Sequence, residues 1–530
     1  MTRLKFFIPA LITISGVFLI LLSFALVIPS EFEKEFLNSD CMYLPSVYRD
    51  MFIYKNDLSL WSFNAAPNAF PDMILYFIII SITGNIAQAG IVYSIVQYII
   101  IAALSDYILR KLYPSENLTG RVLLQILLLI PHTFTLYTYD FLLHFQYLSN
   151  AYHLGAMVNT LIAWSIILNI IEIKNTTSKH LAFGAFCVLL YIMSVSDKLF
   201  WLLFLAPLFF YFIIKYFHEK EKPILVHLVL LLTTFVMSSW TLNGLRSSKP
   251  KIDPPFRNMS TEHAGESLAV FANHMYLEFT GLPIKVLFVS LIGFSLILLL
   301  FLSTRTIIRL MQRKSLTRSS IWHVFVAGSV VLGIIAPVLN GSYTAFDCIR
   351  YNFPAMILAL IALALILTPK IQRIPSFILV APFIVLGGYW AYKVDFHKEE
   401  LQTKMFFIPE ETIIIEQIAA KHKLHAGIAP YWSAKKNEMF NSSSIKIVPV
   451  LGGCCMYIHA NNRQWYLTEH GKNTKQYFDF GIARTKQEIE EYNLVFGKDL
   501  PSIEPIPGLY ILKTGDFYFD DFTQRIILKP

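Results

Sequence analysis

Apolar runs of spanning length recur along this chain, and they restrict the environments in which it can fold. The first, Phe6 to Pro29, is almost unbroken. Others follow near 88–109, 122–139, 151–173, 181–196, 198–216, 224–245, 283–303, 321–341, 353–368 and 376–393. Each is close to the roughly 20 residues that carry a helix across a hydrocarbon core. In lipid every backbone polar group must be satisfied within the structure, so runs of this length read as α-helices. With 55% hydrophobic residues, 15% charged and a mean hydropathy of +0.53, the chain has too few polar side chains to clothe a water-soluble body of 530 residues. The expected fold class is an α-helical polytopic membrane protein of about eleven transmembrane helices.

Charge orients the bundle. The net charge of +8 sits mostly in short loops between apolar runs, the ordinary topogenic pattern, so no nucleic-acid partner follows from it. Arg110-Lys111, Lys174 with Lys179, Lys215 with Lys220 and Lys222, the Arg305 to Arg318 cluster, and Lys370 with Arg373 fall in alternate loops and can face the cytoplasm together. The N-terminus is then cytoplasmic, and the expected location is a bacterial inner membrane. Arg3 and Lys5 precede the first run, which reads as an anchor because it is long and lacks a small-x-small cleavage site. Asp72 to Thr83 is too short to span, and counting it as a span would break the alternation of basic loops; it reads as an interfacial helix on the outer side. Residues 1–394 thus form the helical domain, with an outer first loop at 30–87. After Lys393 an amphipathic stretch and short strand-like runs such as SIKIVPVL and GLYILKTG mark residues 395–530 as a small extracytoplasmic soluble α/β domain. The cysteines Cys41, Cys187, Cys348, Cys454 and Cys455 have no metal-ligand spacing.

The remaining ionisable groups are informative, because a charge at membrane depth is costly and is retained for a partner or a function. On this topology Asp40, Arg49, Asp50, Asp72, Asp140, His144, His153, Asp197, Lys198, Arg246, Asp347, Arg350 and Tyr351 fall at the outer ends of helices. Asp40, in NSDCMYLPSVYRD, is placed to act as a general base toward an acceptor hydroxyl or amine; capping a surface helix is the competing account. Arg49 and Asp50 follow in the same loop and join it as substrate-binding candidates. Pro71-Asp72 suits a helix start and its dipole. The alternative makes Asp72 a second catalytic carboxylate that binds a divalent metal ion with Asp40 or steers the acceptor.

Asp197 and Lys198, in SVSDKLFW, make a tight turn open either to an internal salt bridge or to phosphate and acceptor binding. His144 and His153 flank Tyr147 and Asn150 without zinc spacing; a structural role competes with substrate contact. The loop RSSKPKIDPPFR places Arg246 and three further basic residues on the outer side, against the positive-inside bias. A phosphate on a lipid-linked substrate would account for them, and so would a long solvated loop. Arg350 and Tyr351, in SYTAFDCIRYNFP, offer a planar fork suited to phosphate, with Asp347 as the competing partner.

The acidic first loop with Asp40, the stretch DLSLWSFNAAPNAFPDMILYF, the SDK turn, the RY pair and a C-terminal domain opening with GIAPYWSAKKNEMF together resemble the GT-C class of polytopic glycosyltransferases. That class includes polyprenyl-phosphate-sugar-dependent protein mannosyltransferases and lipid A aminoarabinose transferases. The resemblance implies an inverting glycosyltransferase that takes a sugar from a polyprenyl-phosphate donor in the bilayer to a glycan, lipid or protein acceptor. It further implies Asp40 as base or acceptor-orienting group and Arg350, with Arg246, as phosphate clamp. The first loop departs from the class in having Cys41 after Asp40 and no Asp-x-Asp or Asp-Glu pair, which leaves metal use open. Tyr431, Trp432 and Lys435 are weaker candidates for acceptor contact, and a core position is expected for Trp432. The competing readings are an O-antigen polymerase or ligase, whose large outer loop usually lies between spans, and a transporter or flippase, whose sites lie near the midplane of repeated halves.

Overall fold

The computed structural model describes residues 2–114, 118–138, 148–149, 152–220, 222–247, 261–312, 318–341, 343–371, 375–442, 445–469 and 474–528. A helical bundle is followed by a C-terminal region built on a sheet. Among the described residues eight helices are long and apolar enough to cross a membrane: Phe7–Leu26, Ile86–Leu112, Leu154–Glu172, Thr176–Ser196, Pro223–Leu245, Pro283–Met311, Trp322–Leu339 and Ile378–Phe396. Three further runs expected to span are helical, at Leu118–Thr138, which has 21 residues, and at the shorter Trp201–Phe217 and Phe353–Leu367. The 15 residues of Phe353–Leu367 rise about 22 Å, less than the roughly 30 Å of a hydrocarbon core. This helix is buried from Phe353 through Ile366, because its sequence is apolar on every face and its neighbours surround it. Gly333 lets one neighbour approach: a Cβ there would lie 2.6 Å from the Cβ of Ala355.

Helix ends follow local chemistry. Asn85 caps Ile86–Leu112 by accepting from the Gln88 N–H, and Arg110 and Lys111 in its last turn complement the dipole. Asp106 of the same helix takes a bidentate bond from Arg121 at 2.6 and 3.0 Å and a further contact from Arg110 at 3.1 Å, so its buried charge is fully paired. One helix was not expected from the pattern of apolar runs. Thr261–Thr280 carries too many polar residues to read as a span, yet it packs against Pro283–Met311 and Arg318–Leu339. Its Ser267 accepts from the Tyr343 N–H at 2.9 Å, and its His274 meets the Tyr343 hydroxyl at 3.1 Å. It therefore braces the segment that leads to Arg350.

The C-terminal region holds a seven-stranded mixed sheet. Ala426–Pro430 lies between Lys446–Leu451 and Phe478–Ala483, parallel to both, and the helix Tyr431–Phe440 makes the crossover between the first two strands. This region is joined to the first loop by many polar contacts. Trp61–Ser62 pairs with Asn461–Asn462 in a two-stranded ribbon. Ser39 Oγ donates toward the carbonyls of Tyr431 and Trp432 at 3.0 Å each. Lys436 bridges Glu33 of the loop and Glu411.

Candidate functional site

A cavity of about 370 Å³ opens where the C-terminal ends of Thr176–Ser196 and Arg318–Leu339 meet the N-terminal ends of Leu154–Glu172 and Phe353–Leu367. The first loop and the C-terminal region complete its wall, contributing Asp40, Asn64, Asn68 and His459. Asp40 is set by its own neighbours in sequence: the Asn38 side chain accepts from the N–H groups of Asp40 and Cys41 at 3.1 Å, an Asx turn that presents the carboxylate. Both carboxylate oxygens are engaged. Arg350 Nη1 reaches Oδ2 at 3.2 Å, and the Tyr431 hydroxyl donates to Oδ1 at 3.1 Å. Burial, with the Asp40 carboxylate adding to it, holds the Tyr431 phenol well above its usual pKa, so it stays a donor.

The Arg350 guanidinium lies between two rings, 5.4 Å from the centroid of Tyr152 and 5.3 Å from that of Tyr351. The Tyr351 ring also meets the imidazole of His153, with centroids 4.9 Å apart. His153 Nδ1 is 2.7 Å from Asp197 Oδ2, and Asp197 Oδ1 accepts from the Leu199 N–H at 2.9 Å. Lys198 lines the same cavity with its ammonium 5.9 Å from the Trp201 ring. Asn68 Oδ1 is buried without a hydrogen-bond partner among the described residues, and Asn68 also lines the cavity.

The structure thus brings together Asp40, Asp197, Lys198, Arg350 and Tyr351 from the residues singled out in the sequence. His153, also singled out there, joins them, and Tyr152, Asn64, Asn68, Asn340 and His459 are added to the lining. His144 and residues 248–260 lie outside the described residues, as do the side chains of Arg246 and Asp347.

Three candidates lie elsewhere. Asp72 is buried beneath the cavity rather than in it, taking a 2.6 Å bond from the Tyr93 hydroxyl. It sits against Gly155, where a Cβ would fall 2.1 Å from its Oδ2, so the missing side chain makes room for the carboxylate. Arg49 donates to the carbonyls of Glu438 and Met439 at 2.9 and 2.6 Å, where a cation suits the C-terminal end of the helix Tyr431–Phe440. Asp50 is fully buried and accepts from Asn56, Trp61, Asn462 and Trp465. Arg49 and Asp50 therefore dock the C-terminal region onto the first loop and do not line the cavity. Trp432, expected in the core, is 62% exposed, because the helix Tyr431–Phe440 turns its preceding residue and not Trp432 toward the bundle.

Among the described residues no three His, Cys, Asp or Glu side chains gather in a metal-binding arrangement. Asp40 faces a guanidinium and Asp72 a phenol, so this pair does not form the shared donor set that a divalent ion would need.

Lys435 lies behind the site. Its ammonium is fully buried, bonded to the Ala460 carbonyl and set 5.6 Å from the rings of both Tyr43 and Trp61. Burial pushes its pKa down from 10.5 to about 7, against the opposing pull of Asp40 and Asp50. A depressed lysine means that the unfolded chain binds more protons than the folded one above pH 7, so stability should rise with pH from about 7 to about 10. The expected slope is at most about 1.4 kcal/mol per pH unit. Thermal unfolding followed across that range should show this rise in the wild type and a flatter profile in Lys435→Met; parallel profiles would remove the lysine as its source.

Compared with models of known families, the chain matches none, and no curated protein is similar to it.

Proposed function

We propose that this protein is a membrane glycosyltransferase that moves a sugar from a polyprenyl-phosphate donor to a lipid, glycan or protein acceptor. One observation carries the reading: a single cavity at the end of an apolar bundle holds the Asp40 carboxylate, the Arg350 fork clasped by two tyrosine rings, and an Asn68 carbonyl with no partner among the described residues. A lipid-linked sugar phosphate needs these chemical classes. The guanidinium takes the phosphate through charge-assisted bonds and stabilises it as it leaves. The amide oxygen accepts from a sugar hydroxyl. The apolar wall at Leu199, Leu202 and Pro337 suits the start of a prenyl tail.

In this reading Arg350 exchanges Asp40 for the donor phosphate, and the released carboxylate orients the acceptor. The three further apolar helices join the other eight in an eleven-span bundle. The N-terminus is cytoplasmic, and the sheet-bearing region forms a soluble domain on the opposite face of a bacterial inner membrane.

The test of the activity is transfer itself. Purified protein in lipid nanodiscs, given radiolabelled polyprenyl-phosphate sugars and a fraction of envelope lipids, glycans and proteins, should label a product. No labelled product with any donor would count against the proposal. For the clamp, Arg350→Met should weaken binding of sugar-free polyprenyl phosphate about tenfold to a hundredfold, the range of a lost hydrogen bond to a charged group. Unchanged affinity would remove Arg350 from that role.

A further inference from the structure

We infer that His153 is the proton acceptor for the incoming nucleophile in this cavity, with Asp197 as its positioning residue. The inference rests on the glycosyl-transfer reading and deepens it, because Asp40 is the obvious base and the geometry argues against it. Both oxygens of Asp40 already accept, one from a guanidinium and one from a phenol. Once Arg350 turns to the donor phosphate, the Tyr431 hydroxyl still donates to Oδ1, so the carboxylate stays fixed in the pose that orients the acceptor.

His153 has the opposite disposition. Its Nδ1 meets Asp197 at 2.7 Å, and Asp197 is itself only 3% exposed and fixed by the Leu199 N–H. With Nδ1–H donated to the carboxylate, the neutral ring keeps its lone pair on Nε2. Among the described residues Nε2 has no hydrogen-bond partner, and His153 lines the cavity. The backbone supplies a second observation. His153 stands at φ 65°, ψ 0°, in the left-handed region that a non-glycine residue rarely adopts, and its side chain does not cap the helix it precedes. Seven other described non-glycine residues share this region, among them the helix ends Lys220 and Lys423, so the conformation counts here only together with the contacts that fix the ring. Here the ring is fixed between Asp197 and Tyr351, and Tyr351 also contacts Arg350, so the imidazole and the phosphate clamp share one aromatic wall.

The step balances without a further reactant. The acceptor hydroxyl gives its proton to His153 Nε2 while its oxygen forms the bond to the anomeric carbon. The bond from that carbon to the phosphate oxygen breaks, and its electron pair leaves with polyprenyl phosphate, held by Arg350. The imidazolium, stabilised by Asp197, returns its proton to solvent.

Two variants test this without straining the backbone, since Asn and Gly both tolerate a left-handed φ. His153→Asn should lower turnover a hundredfold to ten-thousandfold, the usual contribution of a general base, while binding of sugar-free polyprenyl phosphate stays within threefold of wild type. His153→Gly should be equally slow and should regain at least tenfold in rate when free imidazole is added, which a purely structural histidine would not allow. Asp197→Asn should slow turnover without being rescued by imidazole. Turnover of His153→Asn within threefold of wild type would overturn the assignment, as would a slow glycine variant that imidazole leaves slow. Wild-type protein that binds polyprenyl phosphate but transfers no sugar would overturn the glycosyl-transfer reading and this step with it.

Discussion

Asp40→Asn is expected to lower sugar transfer about a hundredfold or more while donor binding holds or tightens several-fold. The two halves have one cause. In the resting protein Asp40 is the counter-ion of Arg350, at 3.2 Å, and so competes with phosphate for the same guanidinium. An amide at this position removes the competing charge and turns an N–H toward either Arg350 or Tyr431, both of them donors. The acceptor then loses the carboxylate that orients it, and misplacement of a reacting group by about 1 Å is enough to cost a hundredfold in rate. Equilibrium binding of sugar-free polyprenyl phosphate and initial rates with a labelled donor separate these effects. Unaltered turnover would remove Asp40 from the reaction, and weakened phosphate binding would mean that the carboxylate supports the clamp rather than competing with it.

Asp50→Ala should produce the other large effect, and through stability. Four side chains, Asn56, Trp61, Asn462 and Trp465, donate to this one buried carboxylate. Burial pushes the Asp50 pKa up while these donors pull it down, and alanine removes the acceptor that all four share. Each orphaned buried donor costs about 1–3 kcal/mol, so a total of about 4 kcal/mol or more is expected. The loss should appear as faster amide exchange at 56–62 and 461–467, and as earlier proteolysis in the segment that follows the last apolar helix. Turnover should fall as well, because Tyr431 reaches Asp40 only while the C-terminal region is docked. Unchanged exchange and protease resistance would show that the ribbon of Trp61–Ser62 with Asn461–Asn462 and the Lys436 bridges hold the interface alone.

The contrast between Asp40 and Asp50 shows how far side-chain chemistry can be read along the chain. The two carboxylates are ten residues apart in one loop, and nothing in the loop separates a group that faces a cavity from one that anchors a domain. The distinction lies in partners more than 300 residues away: Arg350 for Asp40, and Asn462 and Trp465 for Asp50. His153 shows the same limit. A histidine at the end of an apolar run looks structural until Asp197, 44 positions on, is seen at its Nδ1. A clue of another kind marked the SDK turn. Two adjacent opposite charges between apolar helices drew attention to Asp197 and Lys198, and both line the cavity. Thr261–Thr280 does not stand out by hydropathy, because what holds it includes the pairing of Ser267 and His274 with Tyr343, before Arg350, which hydropathy does not record.

Hydropathy and length alone marked this chain as a bundle of helices long and apolar enough to cross a membrane, because an apolar run of that length satisfies its own backbone as a helix. The strand-like runs after Lys393 marked where the bundle gives way to a sheet, since short apolar runs broken by Gly, Pro and Asn suit strands and turns rather than helices. Only the tertiary structure decided which of the scarce charges share a cavity and which join the two regions. A burial cost belongs to one residue and can be read from its type, whereas the compensation for that cost comes from whichever distant group the fold sets against it.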